Sequence, residues 1–284
     1  MCRLFAQVST RLENARDFLV DHDFSLLRQA NFDPAHPQKD GWGLAWFDAD
    51  GRPRVTKSGR PASSQRALFE KASEDAVSNI VLGHIRAAST GIDVDDAHAH
   101  PFKDDGWVFI HNGTLTIQRE GAEALGPRRS SLKTDSDSEV YFQQFLKHLA
   151  ATNDPSRAFE ECVKEDWRLW ENERASYPNV TTPYTSLNAV ASDGKGVYAL
   201  CHASSRGQAT HGVCHADQPW SVMSYAMRGG RFVLASEGVD SGEWTRLVPP
   251  ETISAVPKRE AVEVSRRRLD LTSPLGPIPE VSRT

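Results

Sequence analysis

Met1-Cys2-Arg3-Leu4-Phe5-Ala6-Gln7-Val8 opens the chain. Residues 2–8 are mostly apolar, without the every-other-residue pattern of a half-exposed strand, and read as a short strand buried in a core. The position of Cys2 carries a second meaning. A small side chain after the initiator methionine permits removal of that methionine, and the chain would then begin with a thiol and a free α-amine on one residue. An unperturbed α-amine titrates at about 7.7–8.0, which suits it to act as base for an adjacent nucleophile near neutral pH. Taken alone, the same cysteine is a small hydrophobe at the start of a strand. The reactive reading needs partners elsewhere in the chain.

Working outward, residues 11–30 read as a helix burying Phe18, Leu19, Leu26 and Leu27, and residues 43–47 read as a strand. Asp50-Gly51 with Pro53 marks a hairpin returning through Val55. Residues 63–77 read as a helix capped by Ser63 or Ser64. Two short apolar runs, 80–85 and 107–110, read as strands covered on both faces. Ser136-Asp137-Ser138-Glu139 has capping-box spacing ahead of a helix burying Tyr141 or Phe142, then Phe145, Leu146 and Leu149. A further helix begins near Pro155 and buries Phe159, Val163, Leu169 and Trp170. Beyond residue 185 the pattern turns to strands at 187–191, 197–202, 232–236, 253–256 and 261–264. No Gly-rich phosphate loop sits in a βαβ unit, so a nucleotide-binding sheet is not expected. The fold class is α+β, read as one domain over residues 2–272. The tail from Ser273 holds three prolines in SPLGPIPEVSRT and is expected to be disordered.

Several polar motifs punctuate these elements. The strand ending at Ile85 runs into Arg86, a guanidinium suited to grip a carboxylate through two parallel hydrogen bonds. His98-Ala99-His100-Pro101 occupies a loop. The 107–110 strand runs into His111-Asn112-Gly113, where an amide side chain beside a glycine N–H would suit an oxyanion hole, or simply form a turn. Asp137 places a carboxylate at a helix start, where it could receive an ammonium.

Together these motifs resemble the glutaminase domain of class II glutamine amidotransferases, within the N-terminal nucleophile hydrolase superfamily. The resemblance rests on Met1-Cys2-Arg3, Asp40-Gly41-Trp42-Gly43, Gly83-His84-Ile85-Arg86, His100-Pro101, His111-Asn112-Gly113 and Ser136-Asp137-Ser138-Glu139, in that order. It looks closest to the stand-alone bacterial members, which carry no synthase domain. The resemblance implies a four-layer αββα sandwich of two antiparallel sheets covered by helices. It implies that Cys2 is the N-terminal nucleophile, that Asn112 and Gly113 form the oxyanion hole, and that Arg86 and Asp137 hold the substrate α-carboxylate and α-ammonium. Asp135 competes with Asp137 in the doubled acidic motif, and the register of the following helix favours Asp137. Trp42, His84 and His100 are expected at the pocket wall, and the roles of His98 and His100 stay open. Ala87-Ala88-Ser89 departs from the Trp-Ala-Thr that often follows the family's arginine.

The implied reaction is hydrolysis of glutamine to glutamate and ammonia through a γ-glutamyl thioester, with no metal or organic cofactor. A γ-glutamyl amide or peptide hydrolase would use the same grip and release a larger amine. A separate ammonia-accepting synthase subunit is the expected partner of the amidotransferase form. A metal enzyme, built from His98 and His100 or from Cys201, His202, His211, Cys214 and His215, is disfavoured because the spacing fits no common zinc pattern. A non-catalytic partner subunit is disfavoured because Cys2, Arg86, Asn112 and Asp137 occur together. The formal charge of −5, from 33 basic and 38 acidic residues, argues against nucleic acid as a partner. No apolar run reaches the roughly 18 residues that span a bilayer, and four scattered cysteines make no secreted disulfide framework. A cytoplasmic protein is expected.

Overall fold

A computed structural model describes residues 2–32, 37–88, 91–204, 218–219, 221–273 and 276–277. The first half runs β1 (Arg3–Glu13), a π-helical turn Asp17–Asp21, α1 (Leu26–Gln29), β2 (Trp42–Phe47), β3 (Pro53–Ser58), α2 (Arg66–Asp75) and β4 (Ser78–Ile85). Then come β5 (Phe102–Asp104), β6 (Trp107–Asn112), α3 (Gln118–Ala124), α4 (Asp137–Thr152) and α5 (Pro155–Glu173). The rest is strand: β7 (Asn188–Ser192), β8 (Val197–Cys201), β9 (Ser224–Arg228), β10 (Arg231–Ala235), β11 (Thr245–Arg246), β12 (Glu251–Pro257) and β13 (Val262–Arg268).

These strands form two antiparallel sheets, ordered β11-β9-β10-β1-β4-β2-β3 and β13-β12-β8-β7-β6-β5. Side-chain alternation on β1 shows how the layers stack. Leu4, Ala6 and Val8 join Ile80, Leu82, Val108 and Ile110 in the core between the sheets. Phe5 points the other way and packs with Phe18, Leu19, Leu26 and Phe69 under the first helical layer. Phe109 turns from the inter-sheet core to meet Tyr141, Phe142, Phe145 and Phe159 of α4 and α5. The architecture is therefore the αββα sandwich. β1, β4 and β6 are covered on both faces, which accounts for their apolar runs.

Some local readings change. Residues 11–30 are not one helix: β1 continues to Glu13, and the π-helical turn and α1 follow as separate short pieces. The Ser25 hydroxyl donates to the Val20 carbonyl at 2.9 Å, a side-chain bond that competes with continuous helix. Phe18, Leu19, Leu26 and Leu27 are nonetheless buried. The helix expected at 63–77 begins at Arg66 after a short turn, so neither Ser63 nor Ser64 caps it. α4 starts after Ser136 as expected, but Ser136 makes no side-chain cap bond. Glu139 accepts instead from the backbone N–H groups of Lys133 and Thr134 at 3.1 and 2.7 Å. Its carboxylate thus braces the segment entering the helix. In the tail, Thr272–Ser273 pairs with Gly276–Pro277, and residues 278–284 lie outside the described residues. No helix among the described residues is long and apolar enough to cross a membrane.

Candidate active site

The register of the sheets brings the motifs to one end of the sandwich. Arg3 pairs with Ile85 and Trp42 with Ile85, so the start of β1, the end of β4 and the start of β2 coincide. In the second sheet β6 ends at Asn112 opposite Asn188. Cys2, Arg86, Ala87 and Ala88 from the first sheet share a pocket with His111 and Gly113 from the second. Ser136, Asp137 and Ser138 at the start of α4, with Ile92 and His100 from the intervening loop, complete its wall.

Cys2 is almost fully buried. Its Sγ lies 3.5 Å from the Ala87 carbonyl and accepts from the Ala87 N–H at 3.4 Å. Burial pushes the thiol pKa up, against the lowering effects of the Ala87 N–H and the nearby Arg86 charge. The sulfur therefore rests as a thiol and needs a base to become nucleophilic. Beneath it, Arg3 forms a buried ion pair with Glu237 at 3.3 Å.

Arg86 is buried, and its Nη1 donates to the Asp93 carbonyl at 2.8 Å. Its backbone is clamped by Asp40-Gly41: the Arg86 N–H donates to Gly41 O at 2.8 Å and its carbonyl accepts from Asp40 N–H at 3.1 Å. Asp40 also accepts from the Ala88 N–H at 2.9 Å. The remainder of that motif is steric, because a Cβ on Gly43 would overlap the His100 carbonyl. Asp137 is fixed equally firmly. One oxygen accepts the Leu115 N–H at 2.8 Å and the other the Ser138 N–H at 2.8 Å. Asp135 does not line this pocket; it is exposed and meets His98 at 2.8 Å.

Asn112 is buried beside the pocket, and its Nδ2 has no hydrogen-bond partner. Gly113 has no room for a side chain, since a Cβ would collide with the Ser186 carbonyl. His111 faces Ser186 O through Nε2 and Ser138 Oγ through Nδ1, each at 3.0 Å. A carbonyl only accepts, so Nε2 carries the proton and Nδ1 accepts from the serine. Burial lowers the His111 pKa, consistent with this neutral form. Ser138 and Ser186 were not legible as site residues; their signal is only adjacency to better motifs.

Of the three expected wall residues, His100 alone lines the pocket. It is buried, both ring nitrogens lack partners, and burial lowers its pKa well below the usual histidine value. His84 lies behind it, ring to ring at 4.1 Å, donating to the His111 carbonyl at 3.1 Å. Burial lowers the His84 pKa to about 3. Trp42 lies in the outer core, edge-on to Phe69, with its indole N–H on Gln65 at 2.9 Å. Strand alternation points it toward the helices and away from the pocket.

His98 and His100 do not converge as metal ligands. Cys201 is buried between the sheets and His202 bonds the Tyr184 hydroxyl at 2.7 Å on the other face. His211, Cys214 and His215 lie outside the described residues.

A family model described as glutamine amidotransferases class-II matches residues 1–228. The chain belongs to that family. It is 29% identical to the gamma-glutamyl-hercynylcysteine sulfoxide hydrolase of Mycolicibacterium smegmatis over 157 residues, 54% of this chain and 67% of that enzyme. It is 30% identical to a glutamine–fructose-6-phosphate aminotransferase of Xylella fastidiosa over 128 residues, 44% of this chain but only 20% of that enzyme. Among solved structures, a glutamine aminotransferase class-II domain protein from Silicibacter pomeroyi superposes with a TM-score of 0.62 at 23% identity. That match covers 94% of this chain and all of the other, and it establishes likeness of fold.

Proposed function

We propose that this enzyme hydrolyses the γ-amide bond of a γ-glutamyl compound, with Cys2 as nucleophile once Met1 is removed. One observation carries the reading: a thiol, a guanidinium and a carboxylate on three different elements line a single pocket. Arg86 and Asp137 have the charges to receive the α-carboxylate and α-ammonium of a glutamyl group, which would fix its γ-carbonyl against Cys2. The thiol proton passes to the freed α-amine of the same residue, directly or through a water, and the sulfur bonds to the γ-carbon. The unpaired Asn112 amide and the Gly113 N–H receive the oxyanion. A donor pre-placed without a partner is what transition-state stabilisation asks for, and its loss typically costs about 2.7–4 kcal/mol. The C–N bond then breaks, the amine leaves with a proton, and water hydrolyses the thioester to release a glutamyl carboxylate.

Glutamine is the smallest such substrate and would release ammonia. A larger amine is favoured by the likeness to an enzyme named as a γ-glutamyl hydrolase and by the small side chains of Ala87 and Ala88 in the wall. Comparing kcat/KM for glutamine with that for γ-glutamyl amides of larger amines tests the leaving group; equal or better turnover of glutamine returns the reading to a glutaminase, with a synthase partner to be sought. The nucleophile is tested by intact mass after reaction with a glutamine-mimicking electrophile. Labelling anywhere but Cys2, or full activity in a protein with residues retained ahead of Cys2, defeats the mechanism.

A further inference from the structure

The grip on the glutamyl group is assembled from two segments that share no sheet. Arg86 leans on the loop after β4 through the Asp93 carbonyl, and Asp137 opens α4 behind residues 133–136. His98 stands between them. Its side chain is 8% exposed, and each ring nitrogen lies 2.8 Å from a carboxylate oxygen, Nδ1 from Asp95 of its own loop and Nε2 from Asp135 of the other segment.

We propose that His98 is a positioning residue whose imidazolium form clasps the Asp93-bearing loop to the Asp137-bearing segment and so sets the span between the two ends of the substrate grip. The proposal rests on the functional reading above. Hydrogen-bond counting supports it. A carboxylate only accepts, and a neutral imidazole has one N–H. Both contacts are hydrogen bonds only when His98 carries two ring protons.

The other charges facing this site fit that state. Asp93 brings a further carboxylate within 4.8 Å of the Asp95 and His98 ligand atoms. From β3, Lys57 donates to the carbonyls of Ala97 and Ala99 on either side of His98, at 3.0 and 2.6 Å. Burial lowers the His98 pKa, but the bonds to Asp135 and Asp95 outweigh it and the net shift is upward. The Asp95 carboxyl is held below its usual range by the His98 backbone and ring donors. With the folded pKa raised, the clasp is complete at low pH and is lost as pH rises through that value. Burial lowers the Lys57 pKa to about 8, and with or without its extra proton the amine has N–H groups for both carbonyls.

The experiment is KM against pH for wild type and His98→Gln, with kcat followed in parallel. Near pH 6 the variant's KM is expected about tenfold above wild type, as for loss of one charge-assisted hydrogen bond. Wild-type KM should climb toward the variant's as His98 deprotonates, while kcat stays within about twofold of wild type. Asp135→Asn, which leaves the Asp95 contact intact, should give the same KM rise and guards against a folding defect in the first variant. Equal KM values near pH 6, or a loss confined to kcat, would overturn the clasp. Wild-type protein that turns over no γ-glutamyl amide at any pH refutes the functional reading instead. Nitrogen NMR of the His98 ring then still decides: two ring protons near neutral pH uphold the clasp, and one defeats it.

Discussion

The inter-sheet layer has two unlike ends, although the same strands run through both. At the far end Val8 pairs with Ile80 and with Phe232, and all three are fully buried and apolar. At the near end Leu4 pairs with His84, and around it His84 Nδ1, both nitrogens of His100 and Asn112 Nδ2 are buried without partners. An unsatisfied buried polar group costs about 1–3 kcal/mol, so the near end sacrifices stability that the far end keeps. Of these, His100 lines the pocket and Asn112 lies beside it, where a bound molecule could supply the missing partners. At the far end the buried polar side chains have partners: the Ser78 hydroxyl accepts from the Phe47 N–H and the Ser192 hydroxyl donates to the Gly196 carbonyl.

The comparison can be broken most directly at Cys2. Cys2→Ala should lower hydrolysis by at least about a thousandfold and abolish labelling by a glutamine-mimicking electrophile, with the fold intact by circular dichroism. Next in size, Asn112→Ala should lower kcat about a hundredfold or more with KM little changed, since the amide is needed at the oxyanion. Removing the unpaired Nδ2 should also leave the melting temperature unchanged or higher. A fall of several degrees would show that the amide has a structural role instead. Arg86→Lys should raise KM about tenfold or more, because a point charge cannot reproduce a two-pronged contact; an unchanged KM takes Arg86 out of the site.

A third region supplies a contrast of another kind. Asp166, buried between α4 and α5, receives one hydrogen bond from Gln144 at 2.8 Å and leaves its other oxygen unpaired. Burial raises its pKa to about 8. Between about pH 4 and that value the folded chain keeps a proton that the unfolded chain has released, so stability should fall as pH rises across this window. Asp166→Asn should flatten that slope in urea titrations and raise the melting temperature near pH 7 without altering KM. If the slope persists, another group is responsible. The smallest effect belongs to the far end: Ile80→Val should cost about 0.5–1.5 kcal/mol of stability and leave kcat/KM untouched.

Much of this molecule is legible along the chain. Continuous apolar runs at β1, β4 and β6 announce strands covered on both faces, and the polar residues that end them announce a site. The short elements are not legible. β5, with three residues, and α3, with seven, carry too few positions for a period to emerge. Trp42 and His84 illustrate a further limit. Motif adjacency suggests the pocket for both, but strand alternation sends Trp42 to the outer core, and His84 is set behind His100.

The sequence alone determined which side chains this protein has for chemistry and where β4 and β6 give way to polar residues, because hydrophobic runs and breaks in them are local properties. Only the tertiary structure decided which of those side chains meet. The pairing of Arg3 with Ile85 and of Asn112 with Asn188 brings strand ends from two sheets to one pocket. The choice between Asp135 and Asp137 follows from the same fact. Two residues apart on the chain, one lines the pocket and the other reaches His98, because the start of α4 turns them toward different neighbours. Contacts between distant segments depend on register and layer packing, which no short stretch of sequence encodes by itself.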